Sequence, residues 1–103
     1  MRYRLIVPAY VEAQIDACIA YIVQTLHNPD AARNVLDELA KTYERLSCLP
    51  EAAPLCRDAY LRAKNYRIIT LPHHHYLLIY RMEERIVYVV RFFHMRENYR
   101  DKL

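Results

Sequence analysis

The sequence predicts an α+β fold in which an antiparallel hairpin of two helices covers one face of an antiparallel sheet of about four strands. Apolar residues recur at helical spacing along two stretches of the first half of the chain and alternate along three short stretches of the second half. The connections between neighbouring stretches are short, which favours antiparallel neighbours. The predicted order is β-αα-βββ, within a single domain of residues 1–103 that ends in a short tail or helix.

The first strand is predicted at residues 2–6, where side chains alternate before Pro8. A helix is predicted from Pro8 to Leu26, because apolar residues then recur every three or four positions. Proline is tolerated in the first turn of a helix, where its missing N–H group needs no partner. The apolar stripe of this helix is predicted to contain Val11, Ile15, Ile19, Ile22 and Leu26.

The second helix is predicted to begin after Asn28, a good capping residue, with Pro29 in its first turn. Because so few residues separate the two helices, they are predicted to lie antiparallel. Each helix then has an apolar stripe to bury against a common surface. The stripe of the second helix is predicted to contain Ala32, Val35, Leu36, Leu39, Tyr43 and Leu46.

Three strands follow a loop at residues 47–58, a stretch that contains two prolines and no periodicity. The strands are predicted at 66–71, at 76–82 and at 85–93, the last two joined by a turn at Glu83–Glu84. Strict alternation would place one set of side chains of the last strand on one face, namely Arg85, Val87, Val89, Arg91 and Phe93. It would place the other set, namely Ile86, Tyr88, Val90, Phe92 and His94, on the opposite face.

Composition limits the classes of function. The chain has 103 residues, 54% of them hydrophobic and 26% charged, as in a folded domain. It contains no stretch of about 18 apolar residues and no signal-peptide pattern, so we expect a cytoplasmic protein without membrane contact. The absence of glycine excludes a Gly-rich phosphate loop. Cys18, Cys48 and Cys56 form no zinc pattern, and we expect reduced thiols, no metal and no cofactor.

Charge is distributed unevenly along the chain. Residues 1–56 carry five Lys or Arg and seven Asp or Glu, a net charge of −2, whereas residues 57–103 carry ten and five, a net charge of +5. A basic half suits an acidic or polyanionic partner, although a merely solvated basic surface has the same composition. A basic cluster in this half consists of Arg57, Arg62, Lys64 and Arg67.

Several residues near the end of the last strand are candidates for chemistry. Arg91 would either grip a phosphate or carboxylate, or form an ordinary ion pair with a helix. His94, Arg96 and Tyr99 combine an imidazole, a guanidinium and a phenol, the groups that RNA cleavage needs, although a solvated tail is the alternative. The run 73–75 of three histidines indicates a solvated turn rather than a metal site, because successive side chains of an extended chain point to opposite sides.

An ordered set of motifs over nearly the whole chain resembles the RelE/ParE superfamily of bacterial toxins. The set comprises Asn28–Arg33 between the helices, Leu49–Pro50, Tyr66–Arg67, Tyr80–Met82 and Val90–His94, followed by an arginine-bearing tail. The resemblance implies a toxin of a type II toxin–antitoxin module, which inhibits growth, stabilises plasmids and is neutralised by an antitoxin encoded beside it. Such a pair often represses its own operon, so operator DNA would be bound only through the antitoxin.

The superfamily has two branches, and the resemblance is closer to the ParE branch, whose members inhibit DNA gyrase without a hydrolytic site. RelE-like members are endonucleases that cut mRNA on the ribosome. Here Ile69 and Leu77 fall where that branch has basic residues, so the cleavage set is incomplete. A RelE-like mechanism would use Arg67, Arg81, His94, Arg96 and Tyr99.

The resemblance also implies residues for binding the target or the antitoxin. These are Arg57, Arg62, Lys64, Arg91, Arg96 and Arg100. A third reading is a degenerate, non-toxic relative that only binds its antitoxin or acts as a regulatory module.

Overall fold

The computed structural model of the protein describes residues 2–95, which form a four-stranded sheet with two long helices on one face. The strands are β1 (Arg4–Ile6), β2 (Arg67–Thr70), β3 (Tyr76–Glu83) and β4 (Ile86–His94). The helices are α1 (Ala9–Gln24), α2 (Pro29–Cys48) and α3 (Ala59–Ala63), and 3-10 turns lie at Pro50–Ala52 and Pro72–His74. The predicted α+β fold, with its β-αα-βββ order, is confirmed.

Both long helices begin within one residue of the predicted positions. Pro8 precedes α1 in an extended conformation, and the Asn28 side chain accepts a hydrogen bond from the Ala31 N–H group at 3.1 Å. Pro29 occupies the first turn of α2, where no N–H partner is needed. Within residues 2–95, none of the helices is both long enough and apolar enough to cross a bilayer.

The predicted apolar stripes are buried or half-buried except at two leucines. The buried members include Val11, Ile15, Ile22, Val35, Leu39 and Leu46. Leu26 is 55% exposed, because α1 ends at Gln24 and His27 then takes a left-handed φ of 51°. Leu36 is 48% exposed, because it lies one residue, or about 100° around the helix, from the buried Val35. The prediction that these two leucines belong to the buried stripes is wrong.

The strands are ordered β1-β4-β3-β2, and the sheet is mixed. β2 and β3, and β3 and β4, pair antiparallel, as their short connections require. β1 instead runs parallel to β4, with Arg4 opposite Ile86 and Ile6 opposite Tyr88. The long helical connection that follows β1 allows this parallel pairing, where an all-antiparallel sheet was expected.

A β-bulge at Val90 changes which side chains of β4 point toward the helices. The two neighbours of Val90 lie opposite successive residues of β3, so Val90 itself has no partner residue there. Phe92 therefore packs beneath the helices with Val87, while Phe93 packs on the opposite face. The strict alternation predicted from the sequence is wrong beyond the bulge.

The turn between β3 and β4 consists of Glu84 and Arg85, one residue later than predicted. Glu84 has a φ of 55°, as the first position of such a turn requires. Because the chain has no glycine, other residue types fill its left-handed positions, each at a cost of roughly 1–2 kcal/mol. Within residues 2–95 these positions are His27, Asn65, His73 and Glu84.

The sheet separates two apolar clusters. The larger cluster lies between the sheet and helices α1 and α2, and the smaller one lies on the other face, which we call the outer face. The outer-face cluster contains Cys56, Leu61, Leu77, Ile79 and Phe93. Leu61 belongs to α3, a helix absent from the sequence prediction, whose first turn is capped by the Asp58 side chain accepting from the Leu61 N–H group at 3.2 Å.

Candidate functional site

Arg67 holds the segment after α2 against the sheet. Its Nη1 donates to the carbonyl oxygens of Ala53 at 2.6 Å and Glu51 at 3.3 Å. Directly opposite Arg67 on β3, the buried Tyr80 hydroxyl donates to the Pro50 carbonyl oxygen at 2.5 Å. Burial raises the pKa of Tyr80 to about 12, so its hydroxyl keeps the donating proton at neutral pH. Because the Arg67 guanidinium donates to the Ala53 and Glu51 carbonyl oxygens, it serves as a hydrogen-bond donor within the fold.

Arg81 lies on the outer face near the turn between β3 and β4. Its Nη1 is 2.8 Å from Glu83 Oε2, and its guanidinium carbon is 4.2 Å from the centre of the Tyr88 ring. The Arg81 and Glu83 side chains are 37% and 64% exposed, so this ion pair adds little stability and can exchange for an external anion.

Helix α3 presents cations beside an aromatic ring on the outer face. Leu61 anchors the helix in the outer-face cluster, while Arg57, Arg62 and Lys64 are exposed. Lys64 Nζ lies 4.6 Å from the centre of the Tyr60 ring. We call Arg57, Tyr60, Arg62 and Lys64 the α3 patch, and its chemistry suits an acidic or phosphate-bearing partner.

A groove of about 640 Å³ lies between α1 and β4, and we call it the edge groove. It is lined by Gln14, Ala17, Cys18, Tyr21, Ile22, Leu26, Tyr76 and Arg91–His94. Arg91 stands beside the Tyr10 ring, 4.7 Å from its centre, and its Nη1 donates to the Val90 carbonyl oxygen at 2.8 Å. Gln14 Oε1 accepts a hydrogen bond from the Phe92 N–H group at 3.2 Å. The groove is thus mostly apolar, with the guanidinium of Arg91 from β4 and the amide of Gln14 from α1.

His94 lies where β4 ends, at the junction of the edge groove with a second cavity of about 380 Å³. The ring of His94 meets the Tyr76 ring edge-on, with 5.2 Å between centroids. In the second cavity, His73 Nδ1 is 3.0 Å from Glu38 Oε2. Among residues 2–95, no three or more His, Cys, Asp or Glu side chains are grouped so as to hold a metal ion.

Comparison with known proteins assigns the chain to a family. Residues 5–99 match the family model described as the ParE toxin of the type II toxin–antitoxin system, parDE. This chain belongs to the ParE toxin family. Its fold is similar to a solved structure of the chromosomal ParDE TA system from P. aeruginosa, with a TM-score of 0.72 and 16% identity over 89% of this chain and 95% of that one. No curated protein matches the sequence. The predicted resemblance, closer to the ParE branch, is confirmed.

In this member of the ParE family, the residues predicted for RelE-like cleavage are spread over the fold. Arg67 and Arg81 lie on opposite faces of the sheet, because Arg81 follows the partner residue of Arg67 along β3. His94 lies opposite Tyr76, five residues from Arg81 along β3, which corresponds to about 16 Å. The other two members of the set, Arg96 and Tyr99, lie outside the described residues.

Two buried positions explain the gaps in the cleavage set. Leu77 is 2% exposed within the outer-face cluster, and Ile69 packs beneath the helices. A guanidinium at either position would be surrounded by apolar side chains without a counter-ion, which costs several kcal/mol. The packing of this ParE family member therefore accounts for apolar residues where the RelE-like pattern has basic ones.

The residues predicted for binding fall on two separate surfaces. The α3 patch contains Arg57, Arg62 and Lys64, whereas Arg91 lies at the edge groove. Sequence reasoning missed Tyr10, Gln14 and Tyr21 beside Arg91, although their spacing of four and seven residues was a signal for a second face of α1. The remaining predicted residues, Arg96 and Arg100, lie outside the described residues.

Proposed function

We propose that this chain is a growth-inhibiting toxin that binds DNA gyrase in the bacterial cytoplasm and is neutralised by a cognate antitoxin. The family match over residues 5–99 carries this proposal. The antitoxin partner is further supported by the similar fold in a structure of a toxin–antitoxin system. Operator DNA would be bound through the antitoxin, and plasmid stabilisation would follow from the pairing of a toxin with its antitoxin.

The α3 patch is the surface that we assign to the gyrase target. Its cations are exposed, whereas their helix is fixed by the buried Leu61, so the charges are presented on a rigid support. Charges arranged in this way steer an acidic partner and fix its orientation. Arg67 is excluded from this role, because its guanidinium binds the carbonyl groups of the chain itself.

A supercoiling assay tests the proposal. The purified chain is expected to inhibit supercoiling by gyrase, and addition of the antitoxin encoded beside the gene is expected to restore it. Reversing the charges of Arg62 and Lys64 to Glu should weaken inhibition by about tenfold or more. Arg33→Glu is the matched control, since Arg33 is an exposed helix cation elsewhere on the molecule. If a chain that arrests growth leaves supercoiling unchanged, gyrase is the wrong target.

A second candidate is a ribosome-dependent mRNA endonuclease. The observation that favours it is the accessible Arg81 guanidinium beside the Tyr88 ring on the outer face. Primer extension on cellular mRNA after induction separates this candidate from the first, because an endonuclease leaves codon-aligned cuts and a gyrase inhibitor does not. Absence of growth arrest on expression would reject both toxic activities and leave a regulatory module that only binds its antitoxin.

A further inference from the structure

The outer face of the sheet carries accessible side chains on the side toward β1. On the other side, Leu61 of α3 packs in the outer-face cluster with residues of β3 and the end of β4. Toward β1, residues that lie opposite each other in register form two rows across three strands and share this face. The rows are Arg4, Ile86 and Glu83, and Ile6, Tyr88 and Arg81. All six residues are half-buried or exposed, so a partner can reach them.

Two cations on the outer face lie beside tyrosine rings. The Arg81 guanidinium carbon is 4.2 Å from the centre of the Tyr88 ring, and Lys64 Nζ is 4.6 Å from the centre of the Tyr60 ring. Tyr60 is 61% exposed. A cation is held only weakly over an aromatic ring at an exposed site, so a stacking ligand can take its place. Each pair then offers a ring face for a base and a cation for the adjoining phosphate.

Positive charge prevails around these tyrosines. Among the two rows and residues 57–64, five residues are Arg or Lys and two are Asp or Glu. The Asp58 carboxylate accepts a hydrogen bond from the Leu61 N–H group at 3.2 Å and so caps α3. The Glu83 carboxylate is 2.8 Å from Arg81 Nη1 and is 64% exposed, so a phosphate can replace it. The outer face is therefore suited to a polyanion.

We propose that the two rows and the α3 patch together, which we call the outer-face band, bind a single strand of DNA, through which the toxin contacts the DNA that gyrase holds. The inference rests on the proposed function for the choice of DNA, because gyrase acts on DNA, whereas phosphates and bases are common to DNA and RNA. The four strands of the sheet span about 15 Å across this face, which is long enough for more than one phosphate. Arginine binds each phosphate through two parallel hydrogen bonds.

The tyrosine rings favour a nucleic acid over an acidic protein as the occupant. A carboxylate needs only the cations, whereas a base also needs an apolar ring face such as that of Tyr60. A second copy of this chain is disfavoured, because each copy carries a formal net charge of +3 and the two would repel. Contacts to phosphates and base faces do not read sequence, so this binding is separate from operator recognition through the antitoxin.

Fluorescence anisotropy tests the inference, with the full chain and a labelled DNA strand of about 20 nucleotides. The strand is expected to bind more tightly than its duplex, and its affinity should fall between about 50 mM and 200 mM salt. Each phosphate contact to a single strand contributes roughly 0.7 to the slope of log K against log salt, so Arg81→Gln should flatten the slope by about that amount. Tyr60→Leu should raise the Kd by about tenfold or more at each salt concentration, because a stacking surface is lost.

Matched controls carry the same substitutions on the long helices. Arg33→Gln on α2 and Tyr21→Leu at a 56% exposed position of α1 should change neither the slope nor the Kd. Circular dichroism checks that every variant is folded. Equal changes in the controls and in the outer-face variants would overturn the assignment of the strand to the outer-face band.

The remaining outcomes separate this inference from the proposed function. A chain that inhibits supercoiling but binds no single strand at low salt would overturn the DNA contact and leave the proposed function intact. A chain that binds the strand through Tyr60 and Arg81 but leaves supercoiling unchanged would support the binding surface and refute gyrase as the target. RNA of the same sequence bound about tenfold more tightly would overturn the choice of DNA, and a duplex bound as tightly as the strand would overturn stacking on Tyr60.

Discussion

Arg67→Met distinguishes a structural arginine from a catalytic one. Methionine keeps the aliphatic length of the side chain but loses the donors to the carbonyl oxygens of Ala53 and Glu51. The partly buried 2.6 Å hydrogen bond from a charged donor contributes about 1.5–3 kcal/mol, and the exposed 3.3 Å bond adds little. We expect a loss of about 2 kcal/mol in the free energy of unfolding, or roughly 8–16 °C in Tm for a domain of this size.

Urea and thermal unfolding followed by circular dichroism measure this loss. Arg81→Met is the matched control, because the Arg81 guanidinium contacts the exposed Glu83 carboxylate and the half-buried Tyr88 ring on the outer face, and its removal should cost less than about 1 kcal/mol. Equal stability of Arg67→Met and the unsubstituted chain would refute the structural role of Arg67. If Arg67→Met also abolished mRNA cleavage while remaining folded, the arginine would belong to a catalytic site.

Three further tests of the fold use single substitutions, two of them with a matched control. Leu39→Ala should lower the free energy of unfolding by about 2–5 kcal/mol, because Leu39 is buried in the core. Leu36→Ala, at a 48% exposed position of the same helix, should change the free energy of unfolding by less than about 0.5 kcal/mol. Equal losses in chemical denaturation would show that the buried face of α2 is misassigned. Glu84→Gly should raise the free energy of unfolding by up to about 1 kcal/mol, because glycine adopts the φ of 55° without strain. Glu83→Gly, within β3, should lower the free energy of unfolding instead. Chemical denaturation measures both variants, and a loss of stability on Glu84→Gly would contradict backbone strain at this position. Burial raises the pKa of Tyr80 from 10.0 to about 12, so its contribution to stability is present below pH 10 and is lost as the pH rises through 12. Unfolding measured from pH 9 to pH 12 should therefore show a smaller alkaline loss for Tyr80→Phe, and identical profiles would contradict this reasoning.

Periodicity predicted most of the fold, because it reports burial. The spacing of Val11, Ile15 and Ile22 placed α1, and the capping chemistry of Asn28 placed the start of α2. The bulge at Val90 escaped prediction because an extra residue alters the register with β3 without altering the local composition of β4. The five-residue α3 is too short to show a period, so only its Asp58 cap was a signal.

The candidate site was less predictable, because residue type does not reveal what a side chain contacts. Arg67 and Arg81 look equivalent in the sequence, yet one binds the chain's own carbonyl groups and the other is accessible on the outer face. Gln14 gave no signal by type, and its role at β4 depends on how α1 crosses the end of the sheet. Long-range placement of this kind follows from tertiary packing, which periodicity does not report.

The separation of the α3 patch from the edge groove constrains how an antitoxin would neutralise this toxin. The α3 patch lies on the outer face, whereas the groove lies beside α1, at the edge of β4. An antitoxin bound only in the edge groove would leave the α3 patch uncovered, so it would neutralise only if it extends around the sheet or if gyrase also needs the groove. Mixing gyrase with the preformed toxin–antitoxin complex distinguishes these routes. A ternary complex that retains supercoiling activity would show that gyrase binds this chain without the edge groove but is inhibited through it. Mutual exclusion would show that the antitoxin and gyrase compete for one continuous surface.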